Sequence, residues 1–182
     1  MNNETHPGFE GGLILPFKGV WPKIGNDVFI APTATIIGDV EIADEAVIMF
    51  GCTVRGDTNW IKIGKHSNLQ DQVVIHVNAG KEPTSIGERV SVGHSVLLHA
   101  CELQDGCLIG MRASVMDGAV IESGSLVAGG AVVVRSARSF HEAAKRAGKR
   151  VFGAGAGPIL SFGFTIPKRG DRTSEHGGEL RL

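Results

Sequence analysis

The chain contains no tyrosine, only two tryptophans, and aromatics make up 5% of it. A core of large rings is therefore not expected, and no phenolic hydroxyl is available to any site. The three cysteines, Cys52, Cys101 and Cys107, have no framework spacing. That excludes a disulfide-stapled fold and suits a reducing, cytoplasmic location. No apolar run approaches the roughly 18 residues of a membrane span. The opening stretch MNNETHPGFEGG lacks a basic region followed by an apolar core, so no signal peptide is expected. A net charge of −1 gives no basis for binding nucleic acid or an anionic membrane. What the chain has in abundance is glycine, at 26 of 182 residues, a length sufficient for one domain with a sizeable core.

The glycines follow a pattern. From Ile24 to about Val133 an aliphatic residue recurs at every sixth position, as in Ile24, Ile30, Ile36, Ile42, Ile48 and Val54. The series resumes through Ile63, Leu69 and Ile75, then Ile86, Val92 and Leu98, and finally Leu103, Ile109, Val115, Ile121, Val127 and Val133. A small or apolar residue usually stands four places later, Cys52 and Cys107 among them. A period of six fits neither an amphipathic helix nor an alternating strand. Each hexad reads as a short strand plus a corner taken by glycine or a polar residue. Such repeats imply a solenoid, in which each unit buries its aliphatic residue only by stacking on its neighbours.

Three histidines occupy informative phases of the repeat. His76 follows the inward Ile75 by one residue, and His99 follows Leu98 by one. Three repeat steps separate them if the gap from Ile75 to Ile86 is one step carrying an outward loop over about 78–83. With three hexads per coil, the two rings fall on successive coils about 4.8 Å apart. That spacing lets two imidazoles reach one ion at the roughly 2.0–2.1 Å of a Zn–N bond. His94 lies two residues after Val92, on the preceding face, across a side roughly 18–20 Å long. It can join the others only across a threefold interface, so the counting predicts a homotrimer with metal sites shared between subunits. A single histidine in a strand is more often surface or core filler than a ligand. His6, His66, His141 and His176 have no such relation and are read that way.

The motifs around these histidines add a resemblance. Val54-Arg55-Gly56-Asp57, Asn68-Leu69-Gln70-Asp71, His76, Val92-Gly93-His94, Leu98-His99-Ala100-Cys101 and Ile109-Gly110-Met111 together resemble the γ-class carbonic anhydrase family, in its order and spacing, from about Trp21 to Val133. The resemblance implies an all-β fold, a left-handed parallel β-helix of triangular section, over 21–134. It implies a metal, Zn²⁺ with Fe²⁺ or Co²⁺ as alternatives, held by His76, His94 and His99, with His94 supplied by the adjacent subunit. It implies reversible hydration of CO2 to bicarbonate by metal-bound hydroxide at a trimer interface. Gln70, and less distinctly Asn68, would serve as catalytic residues near the metal, an amide being able to donate or accept without titrating. Arg55, Asp57 and Asp71 would be structural, Arg55 pairing with Asp57 or with a neighbour's Asp71 across the interface.

The chain also departs from the best-studied branch of that family. Thr58 stands where that branch has a glutamate after the aspartate, and Val77–Glu82 replaces its acidic loop. Glu82 is then the candidate proton shuttle on the loop. Other hexapeptide-repeat proteins suggest alternatives: an acyltransferase or thioesterase acting on coenzyme A esters, or a non-catalytic assembly or binding subunit. Three histidines argue against an acyltransferase, which needs one base. Residues 1–20 are expected to be a mobile N-terminal segment. Residues 135–182 form a tail in which Ser139–Ala147 has helix-forming composition with a serine cap.

Overall fold

The computed structural model describes residues 11–80 and 82–135, and every strand pairing among its β-strands is parallel. It is a solenoid, as the repeats predict, and the left-handed parallel β-helix that the resemblance implies, of about 7 turns. Three faces enclose one core. The first face holds Leu13–Leu15, Val74–His76, Leu97–His99, Ser114–Val115 and Val132–Val133, with the starts of Thr35–Ile42 and Thr53–Ile63. Those two long strands run round a corner onto the second face, beside Lys23–Ile24, Thr84–Ile86, Glu102–Leu103 and Val120–Ile121. The third face stacks Phe29–Ile30, Val47–Ile48, Asn68–Leu69, Ser91–Val92, Leu108–Ile109 and Leu126–Val127. Among the described residues no helix is long and apolar enough to cross a membrane.

The aliphatic residue of each hexad turns inward and meets its counterpart one coil away. Val54, Ile75, Leu98 and Val115 form one such column, and all four are fully buried. Small residues before the strands, such as Ala34, Ala46, Cys52 and Ala113, fill the tapering corners. Because each coil seals the next, a cavity cannot close by local collapse. Ile75→Ala is therefore expected to cost about 2–5 kcal/mol, read as a lower unfolding midpoint at unchanged secondary structure.

Two local features shape the functional face. At Gly56 a side-chain carbon would collide with the Asp39 carbonyl of the neighbouring coil, so only glycine lets the coils approach where the long strands turn. This holds Arg55 and Asp57 on either side of a fixed bend. The step from Leu98 to Leu103 is one residue short, and Ala100 accommodates it with φ +47°. At the N-terminus the solenoid starts earlier than expected. Leu13–Leu15 is already a strand paired with Thr35–Ile37, so the ordered structure precedes Trp21. The helix expected over Ser139–Ala147, and the tail beyond Arg135, lie outside the described residues.

Candidate metal centre

His76 and His99 stand directly opposite one another in the ladder of the first face. Each follows a buried aliphatic residue, so the alternation of the strand turns both rings outward. His76 Nδ1 lies 3.2 Å from His99 Nε2, and the ring centroids are 5.2 Å apart. Arg55 shares their phase one coil earlier, since Val54 pairs with Ile75.

A carboxylate closes each end of the pair. His76 Nε2 lies 2.9 Å from Asp57 Oδ1, and Asp57 also receives the Arg55 guanidinium. On the far side, His99 Nδ1 bonds Asp117 Oδ1, and the Asn78 amide donates to the other Asp117 oxygen. Burial works against ionisation of Asp57, but the bonds from His76 and Arg55 outweigh it and hold the carboxyl below its usual range. At Asp117 burial is likewise outweighed, here by bonds from His99 and Asn78. Ionised carboxylates only accept, so the outer nitrogen of each ring must be the protonated one. In two neutral rings the inner nitrogens are then bare, and their lone pairs converge. Two such lone pairs repel unless a cation lies between them.

Those donors fit a transition-metal ion. Two nitrogens bound tetrahedrally at 2.0–2.1 Å are about 3.3–3.4 Å apart, close to the separation of the inner nitrogens. A carboxylate on the outer nitrogen is the usual support of a ligating imidazole. Among the described residues, however, no three His, Cys, Asp or Glu side chains are placed so that they could hold one ion together. His94 is elsewhere, at the corner between the third and first faces. Its Nδ1 lies 3.0 Å from Asp71 Oδ2, one coil below. Asp71 is thus engaged with His94 and with the Phe50 N–H rather than with Arg55.

Asn68 and Gln70 belong to the His94 side. Asn68 donates to Ser91 Oγ on the next coil of the third face, and Gln70 is bonded through its main chain to Val92. The site residues therefore fall into two separate groups. Arg55, Asp57, His76 and His99 form one, and Asn68, Gln70, Asp71 and His94 form the other. Phe50 and Met111 flank Asp71 and His94 in the same corner column, and both are large, apolar and exposed.

Sequence reasoning missed Asp117 and Asn78. Asp117 looks like any polar corner residue before a glycine; its signal was position, one residue past the histidine phase on the next coil. Glu82 is not a free acid on the loop, because Arg135 Nη1 lies 2.7 Å from it. Cys101, next to the centre in sequence, is buried, and burial pushes its thiol up to about 12, so it packs as a neutral filler. An open groove lined by Glu41, Lys62, Glu102 and Asp105 lies on the second face, away from both groups.

Comparison with known proteins agrees with the fold. The family model of bacterial transferase hexapeptide repeats matches residues 22–56. A solved hexapeptide transferase family protein from Anaplasma phagocytophilum is 38% identical, with a TM-score of 0.52, over 67% of this chain and 75% of that one. The γ carbonic anhydrase 2 of Arabidopsis thaliana mitochondria is 43% identical over 122 residues, 64% of this chain and 44% of its own length. A carbonic anhydrase from Geobacillus kaustophilus is 39% identical over 112 residues, 62% of this chain and 61% of its own. The chain spans less than two thirds of each of these two curated relatives. A parallel β-helix of six-residue repeats with an outward imidazole pair defines the class, the hexapeptide-repeat proteins. The chain belongs to that class, and within it is similar to the γ carbonic anhydrases.

Proposed function

We propose that this protein is a γ-type carbonic anhydrase, a lyase that reversibly hydrates CO2 to bicarbonate at a metal centre shared between copies of the chain. The observation that carries this reading is the pair of converging nitrogens of His76 and His99, 3.2 Å apart between two carboxylates. His94 of a second copy supplies the third ligand. Support comes from its exposed corner, flanked by Phe50 and Met111, which offers apolar surface for a neighbouring prism. Closure by a repeated contact of this kind gives a homotrimer. The metal is Zn²⁺, with Fe²⁺ or Co²⁺ as alternatives, and when bound it supplies a nucleophilic hydroxide at neutral pH.

The chain's own residues do the rest. Asp57 and Asp117 fix which nitrogen of each ring is bare. Arg55 holds Asp57, and Gly56 fixes the bend between them. Gln70, brought in beside His94 by the second copy, orients the reacting oxygen or CO2 through its amide, with Asn68 behind it. The three buried, uncrosslinked thiols suit a cytoplasmic setting.

With Thr58 at the family's glutamate position and Glu82 paired to Arg135, proton export falls to external buffer. Hydration at saturating CO2 is expected to rise steeply with buffer concentration in a stopped-flow assay. High turnover independent of buffer would mean an internal shuttle exists. The central test is metal analysis of protein prepared without oxygen, paired with that assay. Metal-replete protein with no hydration activity, but with turnover of coenzyme A esters, would favour the transferase chemistry that its solved relative's name carries.

A further inference from the structure

The two carboxylates at the ends of the imidazole pair are held differently. Asp57 sits two residues from the Arg55 that anchors it, within one strand. Asp117 is drawn from the far side of the centre. Its carboxylate spans His99 on the adjacent coil and Asn78 at the root of the loop that leaves the solenoid after His76. That root is fastened in turn, since Asn59 donates to the Asn78 carbonyl at 3.3 Å and Thr84 to the His76 carbonyl at 2.8 Å. One carboxylate thus ties three coils together at the ligand pair.

We infer that Asp117 is a positioning residue for His99: by accepting from Nδ1 it keeps Nε2 bare and aimed at His76, and Asn78 holds it in place to do so. The role rests on the metal-centre reading. A free imidazole distributes its proton between two nitrogens and turns about its bond to the strand. Asp117 removes both freedoms at once, because an ionised carboxylate bonds only a protonated nitrogen. Loss of such an outer partner typically weakens metal binding 10–100-fold.

The experiment uses full-length protein and Zn²⁺ in competition with a chromophoric chelator, alongside nitrogen-15 spectra of the metal-free imidazoles. Asp117→Ala is expected to weaken zinc binding about 10–100-fold and to shift His99 from one tautomer, protonated at Nδ1, to a mixture. Asp117→Asn keeps the shape and one acceptor oxygen, so it is expected to fall between alanine and wild type; it carries the test if the alanine variant does not fold. Asp105→Ala alters another corner aspartate, whose carboxylate accepts from the Glu88 N–H, and is expected to change neither readout. Wild-type affinity and an unchanged tautomer in Asp117→Ala overturn the proposal. If the parent protein binds no zinc, the metal reading fails instead. The tautomer then decides alone, and an unchanged His99 proton overturns the role of Asp117.

Discussion

A His99→Ala chain is expected to fold normally and to retain almost no metal. The ring is outward and partly exposed, with a side-chain accessibility of 23%, so its removal opens no cavity in the core. What it removes is one of the two bare nitrogens and the partner of the other. A catalytic zinc relies on three protein ligands, and a binding free energy built on three donors does not survive on two. Elemental analysis should show metal falling from about one ion per chain to near zero, with hydration falling to background. Circular dichroism should be unchanged. Stoichiometric metal in the variant would mean that the convergence of His76 and His99 is not a ligand pair.

Restoration of metal by mixing two dead variants is the second large effect. If His94 serves the neighbouring copy, His94→Ala chains still offer His76 and His99, while His76→Ala chains still offer His94. Each variant alone should be empty. Co-expressed, they should assemble hybrid rings in which about a quarter of the interfaces, the random-mixing fraction, place an intact pair against an intact third ligand. Metal and hydration should return to about that fraction. No recovery, with hybrid rings verified by tagged purification, would exclude a centre divided between copies. A parent that runs as a metal-replete monomer of 19.2 kDa, rather than as three such chains, would do the same.

Much of this organisation could be read from the amino acids. The six-residue period located most of the buried aliphatic residues between Ile30 and Val127, because burial on one side of a coil constrains one position and little else; it missed the buried Ile61 and Val77 and took the exposed Ile24 as inward. The phase of His76 and His99 gave their adjacency for the same reason, once the loop over 78–83 was counted as a detour. Asp117 escaped notice because its partner is set by stacking across coils, which a linear period does not announce. The ion pair between Glu82 and Arg135 joins a loop to the last coil over 53 positions, and nothing local marks it. The early strand Leu13–Leu15 was missed because Ile14 and Ile24 are ten residues apart, not six.

The excursion after His76 departs from the solenoid and rejoins it at the same rung, with Ile86 taking the place that the repeat reserves for it. Its length is therefore decoupled from the spacing of the rings on either side. Such an arrangement leaves the apron in front of the chemistry free to change in length and charge while the donors beneath stay in register. In this chain the apron offers Glu82, already held by Arg135.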